Sequence, residues 1–216
     1  DEGFEYVFLT TNGSLCTSGK VEACMAAGLD SLKFSLNYAD ENQFVDIAQV
    51  KGSLFGDMVT NIKEARRIRD EGDYDCGLYG SYISYDGQQG ERMQAMVDDL
   101  QPYLDEVYAL PLYSQADLVS VDEIGRGWEV RGGNPGRAGA MRPAVPCWSL
   151  FTEGRVSYDG HVSACCFDHD GRFQMGHLDE MSFMDAWNSE KFQTLRKAHL
   201  KGDVRETVCK DCVSYA

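Results

Sequence analysis

Cys147, Cys165 or its neighbour Cys166, Cys209 and Cys212 have the residue type and spacing of a metal site. Thiolates hold iron-sulfur clusters and zinc alike, and Cys209-Lys-Asp-Cys212 lets one short loop supply two ligands. Spacing alone leaves both metals open, because each accepts four thiolates. The two ends of a stretch of about 70 residues must converge, and metal binding supplies free energy for that closure. A disulfide framework is the other use of eight cysteines, but nothing in the sequence signals export. Cys16, Cys24 and Cys76 lack a third partner nearby and are expected as small core or surface residues. His161, His169, His177 and His199 are potential ligands, although histidines near hairpins and helix ends ordinarily pack or face solvent.

The elements that must position these thiols are legible around them. Arg155 to Tyr158 and His161 to Cys165 flank Asp159-Gly160, a pair suited to a type I′ hairpin turn. Adjacent residues on a strand point to opposite faces, so one of Cys165 and Cys166 can face the metal, and the other cannot. A helix is expected from Phe183 to about Leu200, with Ser182 as N-cap, Asp185 three residues on, and Ala186, Trp187 and Leu195 on one face. Gly202 ends it, and Cys209 and Cys212 follow. Trp148, Trp187 and Phe192 are expected to form a mini-core around the metal.

Upstream, β-rich runs alternate with helical ones, the signature of strand-helix-strand units and a parallel sheet. Strands are expected at Glu5 to Thr10, Ser31 to Leu36, Cys76 to Ser84 and Glu106 to Leu112. The helices between are expected at Ser18 to Ala27 closed by Gly28, at Asp57 to Glu71 closed by Gly72, and at Glu91 to Tyr103. The periodicity disappears between Tyr113 and Pro146, where glycines crowd with Arg126, Arg131, Arg137 and Arg142. The expected organisation is a parallel-sheet domain over 1-112, a Gly/Arg-rich linker over 113-146 and a cysteine domain over 147-216. The linker arginines are either solvated or in contact with an anionic ligand.

The spacing from Cys147 through Gly160 to Cys165, followed by Cys209-Lys-Asp-Cys212, resembles the SPASM domain that follows the barrel in many radical S-adenosylmethionine enzymes. Asp159-Gly160-His-Val-Ser-Ala-Cys165-Cys166, Met175-Gly176-His-Leu and Phe183-Met-Asp-Ala-Trp187-Asn188-Ser189 are similar to that family's hairpin, glycine turn and helix. The upstream part resembles the barrel from its third strand onward, with Thr11-Asn12-Gly13 after that strand and Lys33-Phe34-Ser35-Leu36-Asn37 as the fourth. The resemblance implies an α/β fold: part of a (β/α)6-type barrel with parallel strands, then a small domain with a β-hairpin and a helix. It implies an auxiliary 4Fe-4S cluster on Cys147, Cys165, Cys209 and Cys212, with the spacing from Gly160 favouring Cys165 over Cys166.

In that family, S-adenosylmethionine is split at a second 4Fe-4S cluster held by C-x-x-x-C-x-x-C, giving a radical that takes a hydrogen atom from the substrate. No such triplet occurs in this sequence, and the resemblance places it ahead of Asp1. By the same resemblance Ser35 contacts S-adenosylmethionine, and Asn12 and Asn37 are softer candidates at strand ends; ordinary turn chemistry is the alternative for Asn12. Full SPASM domains hold two clusters, with cysteines beyond the C-x-x-C pair, so this chain is a one-cluster variant or a two-cluster domain cut short. The expected partners are a peptide, sugar or small-molecule substrate and an electron donor such as flavodoxin or ferredoxin. The rival reading is a non-catalytic, zinc-stabilised binding module.

At 216 residues and 43% hydrophobic composition the chain is long and apolar enough for one full domain and a smaller one. A formal charge of -15, from 35 acidic against 20 basic residues, repels nucleic acid and anionic membranes. No apolar run spans a bilayer and no leader opens the chain, so a cytoplasmic location is expected. Because the sequence starts at Asp1 and enters a strand pattern almost at once, it is expected to be a fragment of something longer.

Overall fold

Leu32, Phe34 and Leu36 alternate with Lys33 and Ser35, and that two-residue period decides which face of the central strand is buried. In this computed structural model, which describes residues 3-84, 87-110 and 146-210, the apolar set joins Leu78 beneath helices carrying Val21, Met58, Ile62, Ala65, Met93 and Leu100. The chain divides into two compact units, residues 1–111 and 112–216.

The first unit is a four-stranded parallel sheet in sequential order: β1 (Phe8–Thr11), β2 (Ser31–Leu36), β3 (Gly77–Ile83) and β4 (Glu106–Leu110). Its crossovers are α1 (Ser18–Ala26), α2 (Glu41–Ala48) with α3 (Ser53–Gly72), and α4 (Gly87–Leu100). β1 starts three residues later than the sequence suggests: its register with β2 begins at Phe8 opposite Ser31, and ahead of it Val7 is tied to Asp30, accepting its amide at 3.0 Å and donating to its carboxylate at 2.6 Å. Phe4, Tyr6 and Val7 are exposed there. Helix α2 was hidden in a polar stretch; Asp40 caps it by accepting the Gln43 amide at 2.9 Å, and Phe44 is its buried anchor. Helix α3 starts ahead of Asp57, and its left-handed terminator is Asp73 (φ 50°) rather than Gly72. Helix α4 ends at Leu100 and gives way to a 3-10 turn over Gln101–Tyr103, where Pro102 cannot donate to the α-helical ladder. The expected extension of β4 to Leu112 and the expected linker over 113-146, except its last residue, lie outside the described residues.

The second unit is built on shorter elements. After α5 (Ser149–Thr152), strands β5 (Arg155–Val156), β6 (His161–Ser163) and β7 (Gln174–His177) form an antiparallel sheet in that order, followed by α6 (Phe183–Trp187) and α7 (Glu190–Leu200). The β5–β6 connection differs from a type I′ turn. Only Gly160 has positive φ (93°), the Gly160 amide donates to the Ser157 carbonyl at 3.0 Å, and Ser157 pairs with His161. Met175-Gly176 lies in strand β7, not in a glycine turn. A β-carbon on Gly176 would stand 3.0 Å from that of Ala186, so the small residue lets α6 close on the sheet. The expected single helix is two. Ser182 and Asp185 form a capping box on α6, and Ser189 caps α7 afresh by accepting the Phe192 amide. Among the described residues no helix is long and apolar enough to cross a membrane.

Candidate metal centre

A small core of Leu150, Ala164, Phe173, Met175, Phe192, Leu195, Val204 and Cys209 gathers the cysteines of the second unit, with Cys147 and Cys165 packed against it. Cys209 is 7% exposed, and its amide donates to Thr207 Oγ1 at 3.1 Å, which shapes the turn after α7. Cys147 is half-buried just ahead of α5, and its amide donates to His199 Nδ1 at 3.2 Å. Cys165 follows β6; its Sγ accepts the Phe167 amide at 3.4 Å, an N–H···S contact that favours a thiolate. Asp168 staples this turn by accepting from Ser163 Oγ at 2.6 Å and from the Phe173 amide at 3.2 Å. Sequence reasoning missed Asp168, although its Asp-x-Asp-Gly surroundings carry a turn signal.

Strand alternation does not separate Cys165 from Cys166, because β6 ends at Ser163 and both lie in the following turn. Their thiols share a hydrogen bond. It raises the Cys165 thiol, with burial adding to the shift. Cys166 is pushed down to about 6 by accepting that bond, with Arg155 helping. What separates them is packing: Cys165 lies against the core shared with Cys147 and Cys209, whereas Cys166 is exposed. Cys212 lies outside the described residues. Among the described residues no three His, Cys, Asp or Glu side chains stand close enough to hold a metal ion. The fold brings three of the four thiols, Cys147, Cys165 and Cys209, to one core. The donor set is all sulfur, which suits an iron-sulfur cluster or zinc.

The histidines divide by role. His199 is fully buried, and burial lowers its imidazole to about 4, so the ring is neutral and its Nδ1 is an acceptor. His177 Nε2 lies 2.8 Å from the Asp159 carbonyl and its Nδ1 accepts the Asp179 amide at 3.0 Å, clipping the hairpin loop to β7. His161 packs edge-on against it with ring centroids 4.6 Å apart, and His169 is exposed. Phe192 is in the core and Trp187 packs against it, but Trp148 is 48% exposed and lies outside the expected mini-core. Cys76 is buried in the first unit, with Cys16 packed on the same core, so both serve packing there. Cys24 is half-buried on α1.

In the first unit, Asn12 and Asn37 follow the carboxyl ends of β1 and β2, and Ser35 is one residue from the end of β2, opposite Ser81 on β3. The Asn12 side-chain oxygen accepts the Ser14 amide at 3.0 Å and the Ser14 hydroxyl at 2.9 Å, so it performs turn chemistry. Gly13 has φ 82°, and a β-carbon there would stand 3.2 Å from both Met58 and Phe34. Asn61 on α3, a residue no local pattern singles out, donates to the Gly13 carbonyl at 2.9 Å and pins this loop. On the sheet face turned away from the helices, Thr10, Lys33, Tyr79 and Glu106 align across the four strands, next to Ser35, Ser81 and Tyr108. The Lys33 ammonium lies 5.9 Å from the Tyr108 ring centroid.

Residues 147–213 match the family model of SPASM, an iron-sulfur cluster-binding domain. No curated protein matches the chain. Similar solved structures include native anSMEcpe with bound AdoMet, at 12% identity and TM-score 0.53, covering 95% of this chain and 64% of that one. The same enzyme with AdoMet and a Kp18Cys peptide is 13% identical, with TM-score 0.52 and coverages of 95% and 65%. SuiB from Streptococcus suis is 13% identical, with TM-score 0.53 and coverages of 88% and 50%. The chain therefore spans less than two thirds of each of these, and at such identity the likeness shows the fold. Over residues 147–213 the chain is thus similar to the SPASM iron-sulfur cluster-binding domain, and its fold is shared with anSMEcpe and SuiB.

Proposed function

We propose that the chain is the carboxyl-terminal portion of a radical S-adenosylmethionine enzyme, with an auxiliary 4Fe-4S cluster on Cys147, Cys165, Cys209 and Cys212. The observation that carries this is the packing of Cys147, Cys165 and Cys209 on one core inside the matched segment. Bound there, a cluster supplies an electron relay or a substrate contact. The chain's own residues provide the rest. Phe167 stabilises the Cys165 thiolate, Asp168 fixes its turn, and Thr207 shapes the loop that presents Cys209.

Ser35, Asn37 and the loop of Asn12 contact S-adenosylmethionine in this reading, at the carboxyl edge where parallel α/β sheets bind ligands. The whole protein cleaves S-adenosylmethionine to a 5′-deoxyadenosyl radical and modifies a peptide, a sugar or a small molecule, with electrons from a flavodoxin or ferredoxin. A peptide is favoured among these by the peptide bound to anSMEcpe. These 216 residues contain no C-x-x-x-C-x-x-C, so they are proposed to be inactive by themselves. Anaerobic reconstitution is expected to give a brown protein with close to stoichiometric iron and sulfide. Uptake of zinc alone would sink the cluster assignment in favour of a zinc-stabilised module.

A further inference from the structure

Helix α7 carries two buried polar side chains outside the proposed ligand set, and both reach the segment that begins at Cys147. His199, fully buried, takes the Cys147 amide on Nδ1. Arg196, 6% exposed, donates from Nε to the Leu150 carbonyl and from Nη1 to the Trp187 carbonyl, each at 2.7 Å. Its guanidinium is fixed against the rings of Trp187 and Phe192, 4.0 and 3.9 Å from their centroids. The same helix runs through Gly202 into the turn that presents Cys209. The helix that holds the Cys147 amide is therefore also the one from which the chain turns to Cys209.

The amide of a cluster-bound cysteine has two destinations. Donated to a cluster sulfur, it favours the reduced, more negative state and raises the potential. Donated to a protein acceptor, it leaves the sulfur without that help and fixes the peptide plane from which the thiol projects.

We propose that His199 is a positioning residue of the cluster: by accepting the Cys147 N–H on Nδ1, it sets the direction of the Cys147 sulfur and holds the cluster at a lower potential than the same ligands would give without it. The inference rests on the cluster reading above. Asparagine and glutamine separate it from simple packing, because an asparagine amide oxygen can stand where Nδ1 stands, whereas that of glutamine reaches the Nε2 position. In the reconstituted full chain, His199→Asn is expected to keep the wild-type midpoint potential and paramagnetic resonance line shape. His199→Gln is expected to retain iron, raise the potential and change the line shape. Two variants that behave alike overturn the inference, whether both match the wild type or both lose iron or fold. A wild-type chain that takes up no iron overturns the cluster reading first and this inference with it.

Discussion

The two units of the chain reach a buried core by different means. The first needs only apolar side chains: alternating strand residues meet the i, i+4, i+7 stripe of Met58, Ile62 and Ala65, and its buried cysteine, Cys76, is one more apolar group among them. The second has strands of two, three and four residues and a core in which a proposed ligand, Cys209, is itself a member. Small cores fall short of the entropy they must overcome, and a metal cross-link is one of the ways to make up the difference. Hydrophobic burial thus suffices for the unit that presents the sheet edge, while the cysteine unit combines burial with ligand chemistry.

The sharpest way to break this contrast is Cys209→Ser, which removes a ligand and a core member together. It is expected to abolish iron retention and the thermal transition of the second unit, since structural metal sites can supply on the order of 10 kcal/mol. The transition of the first unit should stay where it was in a calorimetric scan, and a scan in which both move together would show that the units do not melt separately. Phe34→Ala tests the other side. Loss of a fully buried phenylalanine costs about 3-5 kcal/mol, which should lower the first transition while iron per chain is unchanged. Ser182→Ala removes the α6 cap and should cost about 1 kcal/mol, visible as a lower melting temperature of the second unit in the reconstituted protein. The smallest effect is acidic. The Ser157 hydroxyl, and after it His161, hold the Asp159 carboxyl down at about 2 against its ordinary 3.8. A depressed carboxylate contributes stability above its unfolded value and loses it as pH falls through the folded one, so Asp159→Asn should flatten the stability profile of the second unit only between roughly pH 4 and 2, as followed by circular dichroism.

Legibility followed the range of the interactions. Strand Ser31–Leu36 and the Ser182–Asp185 box were readable because their causes lie within a few residues. Helix α2 had its Asp40-x-x-Gln43 cap in plain view, yet its apolar stripe is too narrow to announce a helix. Strand β7 has neither alternation nor β-branched residues and exists because β6 pairs with it. Sequence spacing marked the four cysteines, but Asn61 at the Asn12 loop and His199 behind Cys147 act across long stretches of chain. Strand alternation does not distinguish Cys165 from Cys166, because β6 stops two residues short of Cys165.

The guanidinium clamped against Trp187 also gives the protein an optical gauge. Of the two described tryptophans, Trp148 is 48% exposed and Trp187 packs against the core that gathers the cysteines. An indole held that near a strongly absorbing chromophore loses its emission by energy transfer, so Trp187 fluorescence should dim as the site fills and brighten as it empties, reading occupancy without any added label.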